Sequence, residues 1–137
     1  MIDLIFNLKI IFSILSVHFI SDFILQTQDQ AVNKSISNKY LARHVFNYSL
    51  LTTICWVFLF HCVIAIPFYE KIPSGKINII LVFFVTFISH FITDYITSRW
   101  SKKLWEKKST HDFFVVIGFD QLLHFVQLFS MYYFLIK

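Results

Sequence analysis

Four times the chain runs for close to twenty residues in apolar chemistry, from about Leu4 to Gln26, His44 to Ile66, Ile77 to Ser98 and Phe113 to Ile136. A helix needs roughly 20 such residues to cross the hydrocarbon of a bilayer. Two Gly and two Pro leave few turns between them, and the 57% apolar content with 18 Phe exceeds what a soluble fold uses. The pattern predicts an all-α integral membrane protein, a four-helix bundle forming a single transmembrane domain over 1–137. The first run lacks a basic n-region and a small-residue cleavage site, so it reads as a span and not as a leader.

Polar residues inside these runs are the second constraint. His18-Phe-Ile-Ser-Asp22-Phe-Ile returns 72 positions later as His90-Phe-Ile-Thr-Asp94-Tyr-Ile, differing only at Ser21/Thr93 and Phe23/Tyr95. His and Asp four apart share one helix face. The duplication predicts two tandem helical hairpins, repeat one about 1–72 and repeat two about 73–137, split at Pro67 and Lys71-Ile-Pro73-Ser-Gly75-Lys76. Two spans per copy keep both copies in one orientation, a parallel repeat.

Loop charges orient the bundle. Lys34, Lys39 and Arg43 follow the first span; Arg99, Lys102, Lys103, Lys107 and Lys108 follow the third. By the positive-inside rule these two loops face the cytoplasm and both termini face out, in a multi-pass protein of the inner (plasma) membrane. Trp100 and Trp105 fit an interface on that side. The formal charge of +4 is spread over loops instead of one face, which points to anionic headgroups of the lipid bilayer as partner and away from nucleic acid. Cys55 and Cys62 lack zinc-finger spacing and read as packing residues. So small a bundle leaves a homodimer open.

On this topology His18, Asp22, His44, His90, Asp94, Asp120 and His124 converge on one layer in the cytoplasmic half of the membrane. Each intramembrane Asp costs roughly 2.5–3.5 kcal/mol on insertion scales, so partners are required once the bundle forms. Three pairings satisfy that need: a divalent metal site, a proton or ion relay, or a structural His–Asp layer fixing helix register. Imidazole and carboxylate without thiolate suit Zn, Mn or Fe. With a metal, Asp22, Asp94 or Asp120 would supply the general base for hydrolysis. Gln26 extends the first face by one turn. Lys34 reads as mostly solvated, His61 as a packed or interfacial residue, and His111-Asp112 as the start of a helix, where Asp favours the N-terminus.

The series His18-x-x-x-Asp22-Phe-x-x-Gln26, Asn33-Lys34, His44, His90-x-x-x-Asp94-Tyr and Asp120-Gln121-x-x-His124 resembles the bacterial membrane family catalogued as domain of unknown function 3307, in order and over nearly the whole chain. A more distant likeness, on His-x-x-x-Asp pairs alone, is to bacterial membrane-bound metal-dependent hydrolases, whose His-Arg and Thr-His-Ser stretches are missing here. Together these readings imply a membrane protein with an intramembrane divalent-metal site, acting on a lipid or lipid-linked phosphate ester. The alternative is a non-enzymatic pathway or complex subunit.

Overall fold

The computed structural model describes residues 2–64 and 78–136, with side chains described over 8–58 and 78–134. The expected central turn from Pro67 to Lys76 lies outside the described residues, as do the side chains of His61 and Cys62. The described chain is all-α: α1 (Ile2–Phe19), α2 (Gln28–Asn33), α3 (Asn38–Ile64), α4 (Ile79–Glu106) and α5 (Thr110–Met131). α4 packs between α3 and α5, and α1 lies against α3 and α5. Two helices among the described residues are long and apolar enough to cross a membrane, Ile79–Glu106 and Thr110–Phe134, with mean hydropathy 2.0 and 1.5.

Local chemistry sets the helix ends. α1 passes into a π-helical turn, Ile20–Ile24, closed by Leu25 N–H donating to the Ile20 carbonyl at 3.0 Å. α2 starts with a capping box: the Gln30 amide donates to Thr27 Oγ1 while the Thr27 amide donates to Gln30 Oε1. α4 stops in a Schellman turn, with Ser109 N–H on the Leu104 carbonyl and Lys108 N–H on the Trp105 carbonyl. Lys108 occupies the left-handed position that usually falls to glycine, with φ 58°. The connection to α5 is thereby cut to three residues. At the start of α5, Ser109 Oγ donates to Asp112 Oδ2 at 2.6 Å.

Three expectations need correction. The polar loop after the first span contains α2. α3 begins at Asn38, well before His44. α4 runs through the supposed basic loop to Glu106, where Lys102 and Glu106 pair one turn apart at 3.6 Å.

Many buried side chains are polar and many exposed ones are apolar. Fully buried positions on α4 include Thr86, His90, Thr93, Asp94, Thr97 and Ser101; those on α3 include His44, Ser49, Thr52 and Thr53. The opposite faces carry Phe46, Leu50, Ile54 and Phe58 on α3 and Phe84, Ile88, Ile92 and Ile96 on α4, all exposed. Only 28% of the most apolar stretch of α4 and 22% of that of α5 is buried, so the hydrophobic residues point mainly outward. The buried apolar cluster is small, Ile14, Trp56, Val82, Leu128 and Met131. It closes the interior at the end away from α2, one turn beyond His18 and His124.

Candidate metal centre

His18 and Asp22, and likewise His90 and Asp94, stand one turn apart as their spacing requires, yet neither pair bonds within itself. His18 Nε2 is 3.8 Å from Asp22 Oδ2, and His90 Nε2 is 3.6 Å from Asp94 Oδ1. The close contacts cross between elements. His44 Nε2 of α3 lies 3.0 Å from Asp22 Oδ1, His124 Nε2 of α5 lies 3.1 Å from Asp94 Oδ1, and the Lys34 ammonium donates to Asp94 Oδ2 at 2.9 Å. Asp22 sits in the π-helical turn, a distortion that recurs at functional sites.

Two groups of donors form. Asp22, His44, His90 and Asp94 bring one ligand atom each within 4.8 Å of one another, and Asp22, Asp120 and His124 do the same. In the first group His44 Nε2 and His90 Nε2 face each other at 3.4 Å. The two nitrogens lie 3.0 and 3.6 Å from Asp22 Oδ1, His44 Nε2 lies 3.5 Å from Asp94 Oδ2, and His90 Nε2 lies 3.6 Å from Asp94 Oδ1. A tetrahedral ion with bonds of about 2.0–2.2 Å needs ligand edges of ~3.3–3.6 Å. These separations lie in or near that range, so the four side chains are close enough to hold one ion. In the second group His124 Nε2 is 3.5 Å from Asp120 Oδ1, and three protein donors leave a tetrahedral position open.

Supporting residues fix the rings. Tyr48, His90 and His124 form a stack, with centroids 3.9 and 4.1 Å apart and interplanar angles of 25° and 18°. This stacking orients His90 and His124, whose Nδ1 atoms have no hydrogen-bond partner among the described residues. His44 is held differently, with the Gln26 amide 3.0 Å from its Nδ1. The Gln26 side-chain N–H donates to that Nδ1, which places the ring proton on Nε2 toward Asp22; a metal would take the place of that proton.

His18 falls outside both groups. Its Nε2–H donates to Gln121 Oε1 at 2.9 Å, and its Nδ1 accepts from the Tyr48 hydroxyl at 2.9 Å. Gln121 Nε2 in turn donates to Asp120 Oδ2 at 3.1 Å. Of the seven residues expected in one layer, the structure brings six into the two groups and sets His18 behind them as an anchor for Gln121 and Tyr48.

The expectation of a solvated Lys34 is overturned. Its side chain is 19% exposed and its ammonium is fixed on Asp94. Burial works against its charge, but Asp94 and Asp22 outweigh burial and hold its pKa above the ordinary lysine value. Sequence reasoning also passed over Tyr48 and Thr97. Tyr48 lies one turn after His44 on the same face, which was a usable signal. Thr97, one turn after Thr93, donates to Asp120 Oδ1. Asp112, at the exposed start of α5, takes no part in the centre.

A family model described as Protein of unknown function (DUF3307) matches residues 10–137. The chain belongs to that family. No curated protein and no solved structure matches it.

Proposed function

We propose that this member of the DUF3307 family is a multi-pass membrane protein that binds a divalent metal between α1, α3, α4 and α5 and hydrolyses a lipid or lipid-linked phosphate ester at the cytoplasmic face. The observation that carries the reading is the buried group of Asp22, His44, His90 and Asp94, drawn from the π-helical turn, α3 and α4, with one ligand atom each within 4.8 Å of one another. Two imidazole nitrogens facing each other beside two buried carboxylates make a donor set that a divalent ion can use. Zn, Mn and Fe all suit these donors.

The membrane reading is supported by apolar outer faces around a polar interior and by the two long apolar helices. In this reading α1, α3, α4 and α5 make the four-helix bundle of two tandem hairpins. The loops holding α2 and residues 107–109 then face the cytoplasm, where their basic residues meet anionic headgroups.

A divalent ion held by Asp22, His44, His90 and Asp94 would supply positive charge beside a substrate phosphate; with four protein ligands it would have no position left for a water. Asp120, the least buried of the three carboxylates at 9%, stands beside the open position of the second group. It is placed to take a proton from an attacking water. Thr97 and Gln121 hold its two oxygens.

A relay spanning the membrane is less well supported. The polar contacts run from Lys34 to Tyr48, but Ile14, Trp56, Val82, Leu128 and Met131 close the interior beyond. The cavity between them, lined by His18, Thr52, Cys55 and Trp56 among others, measures about 10 Å³, room for about one water.

The test is phosphate release from phosphatidate and prenyl-phosphate micelles by metal-loaded protein in detergent. Metal-dependent turnover is expected, with Asp120→Asn lowering kcat by about 10²–10⁴-fold, the usual worth of a general base, while metal stays bound. Turnover that is absent from wild type, or unchanged in Asp120→Asn, would remove the hydrolase assignment.

A further inference from the structure

Resting on the metal reading above, we infer that Lys34 is the built-in second cation of the layer and that each chain therefore holds one divalent ion, not two. The layer has donors for a pair. Its two ligand groups share Asp22, as a bridging carboxylate would in a two-metal site, although the Glu-x-x-His spacing of the known dinuclear four-helix bundles is absent here. Asp94 is the other carboxylate placed to bridge. Its Oδ1 is 3.1 Å from His124 Nε2 and 3.6 Å from His90 Nε2, while its Oδ2 is 3.5 Å from His44 Nε2. That Oδ2 is already taken by the Lys34 ammonium at 2.9 Å.

Charge points the same way: three carboxylates that already face the Lys34 ammonium call for less metal charge than three carboxylates alone. A lysine arriving by accident would not decide this, but Lys34 is delivered. It caps the C-terminal end of α2, its amide donates to the Gln30 carbonyl, and the far end of that helix is locked by the Thr27–Gln30 capping box with Gln30 itself buried. The ammonium enters the layer from the loop side.

The experiment counts manganese. Full-length wild type, Lys34→Gln, Lys34→Met and Lys34→Arg are purified in detergent, equilibrated with Mn²⁺, freed of excess and analysed for metal per chain and by electron paramagnetic resonance. Wild type and Lys34→Arg are expected to carry one ion with the spectrum of isolated Mn²⁺. Lys34→Gln and Lys34→Met are expected to carry two, with the spectrum of an exchange-coupled pair; circular dichroism confirms that they fold. One isolated ion in all four proteins overturns the inference and leaves the metal site standing. Two ions in wild type overturn it as well. No bound manganese in any of them removes the metal reading and this inference together.

Discussion

Asp94→Asn is expected to lose bound metal and to destabilise the protein by about 3–5 kcal/mol, the usual consequence of removing one partner of a buried ion pair. Asp94 is 1% exposed and its two oxygens serve Lys34 on one side and His124 on the other. Asparagine keeps the volume, so packing is not the cause. It offers one acceptor in place of two and turns an N–H₂ toward the Lys34 ammonium or the His124 ring. The buried positive charge is then uncompensated. The measurement is thermal unfolding in detergent alongside metal content, with Asp112→Asn as a control at an exposed helix start, where loss of the helix-end charge and the Ser109 contact should cost about 1 kcal/mol or less. An Asp94→Asn protein as stable as that control would show that the layer is not held by this carboxylate.

Tyr48→Ala and Tyr48→Phe separate two contributions of one side chain. Tyr48 is 1% exposed, stacks on His90 and donates its hydroxyl to His18 Nδ1. Removing the ring leaves a cavity and frees His90 to rotate, at a cost of about 3–5 kcal/mol by analogy with other buried aromatics. Phenylalanine keeps the stack and loses only the hydroxyl, leaving His18 Nδ1 buried without a donor, at about 1–3 kcal/mol. Unfolding curves in detergent should therefore rank wild type above Tyr48→Phe above Tyr48→Ala. Equal losses in the two variants would assign the whole effect to the hydrogen bond and none to the stack.

The ionisable members of the centre were legible because each is expensive inside an apolar run. Their spacing of four fixed which of them share a face, and the shared depth joined Asp22, His44, His90, Asp94, Asp120 and His124. What spacing within a helix cannot carry is pairing between helices. The same His-x-x-x-Asp motif stands on a π-helical turn at Asp22 and on unbroken α-helix at Asp94. The two copies therefore aim differently: His90 joins the donors, and His18 turns to Gln121 and Tyr48. Lys34 gave no sign of its destination, since a lysine in a polar loop looks the same whether it is solvated or folded back. The helix that delivers it could have been read, because Thr27-x-x-Gln30 is a capping-box pattern. The end of α4 was misplaced because charged residues were read as loop, whereas Lys102 and Glu106 are compatible with a helix that continues past its apolar part.

Metal content tests the central claim most directly. Wild type, His44→Ala and His90→Ala, each purified in detergent and equilibrated in turn with zinc, manganese and ferrous iron, would be measured by elemental analysis. One equivalent of at least one of these metals in wild type, and less than a tenth of that in either variant, is the predicted result. Wild type without stoichiometric metal under all three conditions, or His44→Ala and His90→Ala retaining a full equivalent, would contradict the account and leave the His–Asp layer as a device for holding the helices in register.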